Sequence, residues 1–186
     1  CVKRALARLR VAADWQAPVE RNSAEVAWMR TVARVLPDAV PRILGHDEAC
    51  GAFAMEYLEP ADHPVWKALL ASGQAEPATA AQVARLLATI HRASAHSAEL
   101  AAQFDNAASF RALRLDPYFG EAARRHPDLA PQLHALIATT EANRIALVHG
   151  DASPKNILVG PRGPVFLDAE CANFGDPAFD LSFCLN

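Results

Sequence analysis

His149-Gly150-Asp151-Ala152-Ser153-Pro154-Lys155-Asn156 is the densest run of chemistry-bearing side chains in the sequence, and Leu167-Asp168-Ala169-Glu170 follows it closely. Apolar triplets lead into both: Ala146-Leu147-Val148 into the first, Val165-Phe166-Leu167 into the second. Such triplets read as short buried strands, and polar groups at strand ends are presented into a cleft by a rigid scaffold. Ile157-Leu158-Val159, the turn Gly160-Pro161-Arg162-Gly163-Pro164 and Val165-Phe166-Leu167 predict a hairpin. That hairpin returns Asp168 to Asp151 and Asn156, which bracket a tight Ser-Pro turn. Three oxygen-bearing side chains then converge, the arrangement that holds a hard divalent cation next to a hydroxyl nucleophile.

Working outward, the first third of the chain mixes extended and helical signals. Asn22-Ser23-Ala24-Glu25 has capping-box spacing, Val26, Met29, Ala33 and Leu36 recur at helical spacing, and Pro37 closes the run. Arg42 to His46, a polar turn ending at Gly51, and Ala52 to Leu58 predict a second hairpin whose later strand is apolar enough to be buried. After Glu59-Pro60 the pattern becomes alanine-rich and helical. Thr79-Ala80-Ala81-Gln82 is another capping-box spacing, ahead of a stripe of Val83, Leu86, Leu87 and Ile90. Asp128 is positioned to cap a helix with a face of Leu129, Leu133, Leu136 and Ile137, whereas the segment from Ser94 to Pro127 has no clear period. The layout is a small β-rich lobe followed by a larger, mainly helical one, an α+β arrangement.

Of the 186 residues, 52% are apolar and 21% charged, as expected of a folded globular chain. Eighteen Lys and Arg against 21 Asp and Glu give a net charge of −3, which offers no basic field for nucleic acid and no polybasic membrane anchor. Apolar runs are short and interrupted, so no membrane-spanning helix is expected. Cys1, Cys50, Cys171 and Cys184 are scattered with no zinc or disulfide spacing, the expectation being reduced thiols in a cytoplasmic protein. The chain begins at Cys1 rather than Met and ends inside an apolar pattern, so it reads as a piece of a longer protein whose own start would decide on any signal peptide. Nothing in the sequence speaks to oligomeric state.

His149-x-Asp151-x-x-x-x-Asn156, a hairpin, then Asp168-Ala169-Glu170 and Gly175-Asp176-Pro177-Ala178-Phe179-Asp180-Leu181 resemble the catalytic and metal-binding segments of the aminoglycoside phosphotransferase family. These are kinase-fold small-molecule phosphotransferases, a group that includes choline, fructosamine and methylthioribose kinases. The resemblance implies a protein-kinase-like bilobal fold, incomplete at both ends. Residues 1–59 would form part of the nucleotide-binding lobe with its hinge, and residues 60–186 part of the catalytic lobe. It implies ATP and Mg²⁺ as cofactors and a small-molecule hydroxyl as acceptor, with neither nucleic acid nor membrane as partner.

Residue by residue, the resemblance implies that Asp151 is the catalytic carboxylate, orienting the acceptor hydroxyl and accepting its proton. Asn156 and Asp168 would hold Mg²⁺ on the nucleotide phosphates. Lys3, in Val2-Lys3-Arg4, would reach the α- and β-phosphates, with Glu25 as its ion-pair partner and Glu20 as a competitor. Backbone groups of Glu56 and Tyr57 in the hinge Met55-Glu56-Tyr57-Leu58 would bond adenine. His149 would buttress the catalytic loop, while Asp176 and Asp180 would bind backbone amides and fix that loop. His91 and His96 read as core or surface groups. Glu170 is open between a second metal, a cationic acceptor and a surface role, and Lys155 between phosphate and solvent. The string Lys3-Arg4-Ala5-Leu6, Leu9-Arg10-Val11, Trp15, Pro18, Arg21, Glu25 is similar to methylthioribose kinase-like members, although the catalytic loop has the commoner family form. The phosphate-covering hairpin is expected before Lys3 and further helices after Asn186.

Two other classes compete. A metal-dependent hydrolase would use His149, Asp151, Asp168 and Glu170, but such sites call for more converging histidines and have no use for Asn156, Lys3 or a hinge. A catalytically inactive nucleotide-binding pseudokinase module would more commonly have lost one of Asp151, Asn156 and Asp168.

Overall fold

The computed structural model describes residues 1–5 and 21–185. Leu6, Leu9, Arg10, Val11, Trp15, Pro18 and Glu20, singled out in the sequence, lie outside the described residues, as does Asn186.

Strands β1 (Val2–Arg4), β2 (Ile43–Asp47) and β3 (Ala52–Met55) form one antiparallel sheet in the order β1-β3-β2. The predicted hairpin is thus β2-β3, and β3 is central. Lys3 pairs with Phe53, whose side chain is buried, and a register shift between Ile43 and Gly45 bends the edge strand. Helix α1 (Arg21–Ala33) packs on this sheet through Val26, Met29 and Val32. A single 3₁₀ turn, Pro37–Ala39, ends the connection to β2.

Helices α2 (Trp66–Ala71) and α3 (Pro77–Ser94) come next, and α3 buries Val83, Leu87 and Ile90 as its stripe predicts. The segment with no clear period becomes α4 (Ala98–Gln103), α5 (Ala107–Phe110), a π-helical stretch from Arg111 to Gly120 and α6 (Glu121–Arg125). Pro117, which has no N–H to donate, lies inside the π-helical stretch. Its wide turns explain why no 3.6-residue period is visible there. Helix α7 (Ala130–Ala142) follows; of its expected face only Ile137 is buried, and Leu129 and Leu136 are exposed.

The last third supplies β4 (Ala146–Val148), a 3₁₀ turn (Pro154–Asn156), β5 (Ile157–Gly160), β6 (Gly163–Phe166), β7 (Asn173–Gly175) and α8 (Pro177–Cys184). The β5-β6 hairpin is tighter than expected: Gly160 pairs with Gly163 and Val159 with Pro164, leaving Pro161 and Arg162 as the turn. Strand β7 pairs antiparallel with β4. One hydrophobic core runs through the molecule, joining Trp28 and Met29 of α1, Phe53 of β3, Leu87 of α3, Ile157 of β5 and Phe166 of β6. A second, smaller cluster of Phe110, Leu115, Ile137, Phe179 and Phe183 lies between the π-helical stretch, α7 and α8.

Neither of the two expected capping boxes forms, nor does the Asp128 cap. Asn22 is inside α1, α3 starts at Pro77 with Glu76 at its N-cap, and Leu129 rather than Asp128 precedes α7. Among the described residues no helix is long and apolar enough to cross a membrane, and Cys1, Cys50, Cys171 and Cys184 are all free thiols.

Candidate active site

Strand β4 runs directly into His149, which is completely buried among aromatic rings, 4.8 Å from the Trp28 ring edge-on. Its Nδ1 accepts the Asp151 N–H at 3.1 Å and its Nε2 lies 3.0 Å from the Leu167 carbonyl, which places the ring proton on Nε2. Burial lowers its pKa, outweighing the nearby Asp180 and Asp151 carboxylates, so the ring is neutral and ties the two strand ends together. It is a buttress, as expected. Asp180, on α8, accepts the His149 and Gly150 N–H groups, each at 2.9 Å, and His91 Nε2 at 2.9 Å. His91 is therefore part of the loop's support. Asp176 does something else: it caps α8 through the Ala178 N–H at 2.9 Å and leaves the loop after β4 to Asp180.

The buried Asp151 carboxylate is held from several sides. Arg114 Nη2 donates to Oδ2 at 2.7 Å while Arg114 Nε donates to the Gly150 carbonyl at 2.9 Å. Ser153 Oγ reaches Oδ1 at 3.3 Å and Lys155 Nζ stands 3.0 Å from Oδ2. Lys155 thus faces the carboxylate rather than open solvent alone. Arg114 escaped the sequence reading because it sits in the π-helical stretch, 37 residues from its partner, with no local signal of its role. Beside Asp151 opens a pocket of about 200 Å³ lined by Lys67, Leu70, Tyr118, Lys155 and Phe183.

Asn156 is buried and donates Nδ2 to the Asp151 carbonyl at 3.0 Å, and its backbone carbonyl accepts the Leu167 N–H at 2.9 Å. The hairpin register, Ile157 opposite Phe166, thereby sets Asn156 beside the Leu167-Asp168 step. Asp168 adopts a left-handed backbone (φ 64°), an uncommon conformation that Asp tolerates better than most residues. Its carboxylate contacts Lys3 Nζ, which also bonds Glu25 Oε2 at 2.7 Å. Burial opposes ionisation of Asp168, yet Lys3 keeps its pKa below the usual carboxylate range. For Lys3, burial is likewise outweighed by the two carboxylates, and its pKa lies above the ordinary lysine value. Glu25 is the reverse case: burial dominates over Lys3 and pushes its pKa up to about 7. Contacts therefore link Lys3, Glu25 and Asp168 on one side and Asp151 and Asn156 on the other, across the β5-β6 hairpin.

Glu170, open in the sequence between a second metal, an acceptor and a surface role, is engaged by Arg21 Nε at 2.8 Å. At the hinge, Pro41, Met55, Glu56, Tyr57, Leu158 and Leu167 line a largely apolar pocket of about 150 Å³. Tyr57 is 63% exposed, and the Glu56 N–H is already given to the Arg42 carbonyl at 2.9 Å.

The sequence profile of the phosphotransferase enzyme family, which takes in the aminoglycoside phosphotransferases, matches residues 4–186. The chain belongs to the phosphotransferase enzyme family. It is 24% identical over 208 aligned positions to methylthioribose kinase 1 of Oryza sativa subsp. japonica, covering 97% of this chain and 48% of that protein. The chain spans about half the length of the curated relatives it matches. Among solved structures it is similar to a choline/ethanolamine kinase family protein from Mesorhizobium loti (TM-score 0.57, 18% identity, 90% of this chain and 55% of the other). It is also similar to an aminoglycoside phosphotransferase from Alicyclobacillus acidocaldarius (TM-score 0.54, 20% identity, 98% and 68%). These likenesses establish the kinase-like fold of the family's members, in agreement with the bilobal α+β expectation.

Proposed function

We propose that the chain carries the nucleotide-binding and catalytic-loop parts of an ATP-dependent small-molecule kinase. Residues 1–59 form part of its nucleotide lobe with the hinge, and residues 60–186 part of its catalytic lobe. The observation that carries the reading is the connected constellation of Lys3, Glu25, Asp151, Asn156 and Asp168, drawn from four separated segments to the ends of one hairpin.

Lys3 is the cation for the α- and β-phosphates, held in place by Glu25. The apolar hinge pocket suits a flat purine, and with the Glu56 N–H occupied, contact to the base falls to the Glu56 carbonyl and to Tyr57. The side chains present fit a magnesium ion. The Asn156 amide oxygen and the Asp168 carboxylate are hard donors, and a pair of protein oxygens completed by phosphate oxygens is the usual magnesium arrangement. Among the described residues no group of three or more His, Cys, Asp and Glu side chains gathers into a closed metal cage. When bound, the ion neutralises charge on the β- and γ-phosphoryl oxygens. Asp151 takes the proton from the acceptor hydroxyl as the γ-phosphoryl group is transferred, and Arg114 and Lys155 hold its carboxylate in position. The pocket beside Asp151, with Tyr118 and Phe183 on its wall, receives the acceptor. An aminoglycoside-, sugar- or choline-like alcohol fits the family, and the names of the rice relatives favour a sugar of the methylthioribose kind. A cytoplasmic location accords with such a substrate.

The test is a panel of methylthioribose, choline and an aminoglycoside with ATP, together with heat protection by ATP with and without Mg²⁺. Asp151→Asn should lower kcat by about a hundredfold or more and keep Mg-ATP protection, whereas Asp168→Asn should lose the Mg²⁺-dependent part of that protection. Near-normal turnover by Asp151→Asn would remove the assigned role.

A further inference from the structure

Arg21 opens α1 with only 3% of its side chain exposed, and its Nε donates to Glu170 Oε2 at 2.8 Å across 149 positions of sequence. No step of the proposed reaction uses that bond. Glu25, four residues further on and so on the same face of α1, bonds Lys3, which in turn contacts Asp168. One helix face therefore grips the Asp168-Ala169-Glu170 segment at both ends, directly at Glu170 and through Lys3 at Asp168.

The gripped segment is one that needs holding. Asp168 has φ 64°, a sparsely populated backbone state that persists only where the surroundings impose it. Before it, the Leu167 N–H is given to the Asn156 carbonyl and the Leu167 carbonyl takes the His149 ring. After it, Ala169 is fully buried and its carbonyl accepts the Ala172 N–H at 3.1 Å. Glu170 is where this pinned turn meets α1. Charge argues the same way. Glu25 feels the negative fields of both Asp168 and Glu170, so three carboxylates lie close to this face, answered in direct contact by Lys3 and Arg21. Without Arg21, the Glu170 carboxylate would repel Asp168 two positions away and compete for Lys3. We propose that Arg21 is a positioning residue for Asp168, acting through Glu170, and that Glu170 is a strut rather than a metal ligand. The inference rests on the kinase reading, in which Asp168 holds Mg²⁺. A planar guanidinium buried against a carboxylate fixes geometry that a flexible ammonium does not, and partners that orient a metal's ligands are worth about 10- to 100-fold in metal affinity.

Calorimetric titration of ATP, with excess Mg²⁺ and with the metal chelated, gives the factor by which Mg²⁺ tightens nucleotide binding, and it requires no turnover. Arg21→Gln should lose most of that tightening, about tenfold, while its affinity for metal-free ATP stays at the parent's value. The Arg21→Gln/Glu170→Gln double variant should lose no more than Arg21→Gln alone, because the two side chains act as one unit. That double variant leaves no charge of the pair buried without its partner, so it carries the test if Arg21→Gln alone fails to fold. Parent-like tightening in the variants, even with lowered melting temperatures, would make the pair a packing element only and overturn the proposal. An equal loss of ATP affinity with and without Mg²⁺ would do the same. A further loss on adding Glu170→Gln would show Glu170 on the metal itself, which also overturns it. If Mg²⁺ does not tighten ATP binding to the parent, the kinase reading fails first and takes this inference with it.

Discussion

Glu25 has 1% of its side chain exposed and, among the described residues, a single cation, Lys3, within bonding distance of its carboxylate. Burial raises its pKa to about 7, so between roughly pH 4.5 and 7 the folded chain holds a proton that the unfolded chain has released. Stability should therefore fall as pH rises through that window, by an amount on the order of 3 kcal/mol from this residue. Lys3 adds nothing there: its raised pKa contributes stability that is fully present below its ordinary value near 10.5 and is lost only at higher pH. Urea midpoints for the parent and Glu25→Gln at pH 5 and pH 8 isolate the effect. The variant's stability relative to the parent should increase from pH 5 to pH 8, and a difference that stays constant or reverses would show Glu25 ionised at no cost. The Lys3–Glu25 pairing was legible in the sequence because the family pattern supplies both partners. Arg114 and Arg21 were not legible: their partners, Asp151 and Glu170, lie 37 and 149 residues away, and no spacing rule connects them.

At the scale of elements, the turn leaving β4 depends on one glycine. Gly150 has φ +77°, and a Cβ there would stand 2.4 Å from the Cys171 carbonyl oxygen. Both the left-handed backbone and the contact with main chain oppose any side chain, and the turn's N–H groups are already committed to Asp180. Gly150→Ala should thus cost about 2 kcal/mol or more, visible as a lower urea midpoint at unchanged slope. An unaltered midpoint would mean that the loop can move away from Cys171 freely. The strands flanking this turn were readable as short apolar runs, and α1 and α3 as stripes. Helix starts were not, because proline set them: Pro77 opens α3 and Pro131 stands in the first turn of α7, where a fixed φ near −65° and a missing N–H cost nothing. The capping-box letters are common enough to occur by chance inside the first turn. Strand β7 is three residues long and is defined by its pairing to β4, so it has no signature of its own.

Across the whole molecule, one core joins the sheet of β1 to β3, helix α1, helix α3 and the β5-β6 hairpin, so Lys3 and the loop from His149 to Asn156 are set by shared packing. That architecture was legible because the order and spacing of His149, Asp151, Asn156, Asp168 and Asp180 admit few folds. The packing bears on the kind of acceptor. Asp168 and Asp180 are 12 positions apart. Within that interval Asn173–Gly175 is spent on β7, buried against β4, and Asp176 caps α8, which carries Asp180. Cys171, Ala172 and Phe174 are buried as well, so little chain is left to form a platform on which a peptide could lie. No Ser, Thr or Tyr occurs between the two aspartates, so this segment has no hydroxyl for a regulatory phosphate. Protein kinases place a long activation segment at this point of the fold, and a short buried connection cannot serve as both substrate platform and switch. Incubation with labelled ATP and a mixed peptide library should accordingly leave the peptides at background, while a small hydroxyl acceptor is labelled without prior phosphorylation of the chain. Efficient, sequence-selective labelling of peptides would show that another surface presents protein substrates to Asp151, and the small-molecule assignment would then be wrong.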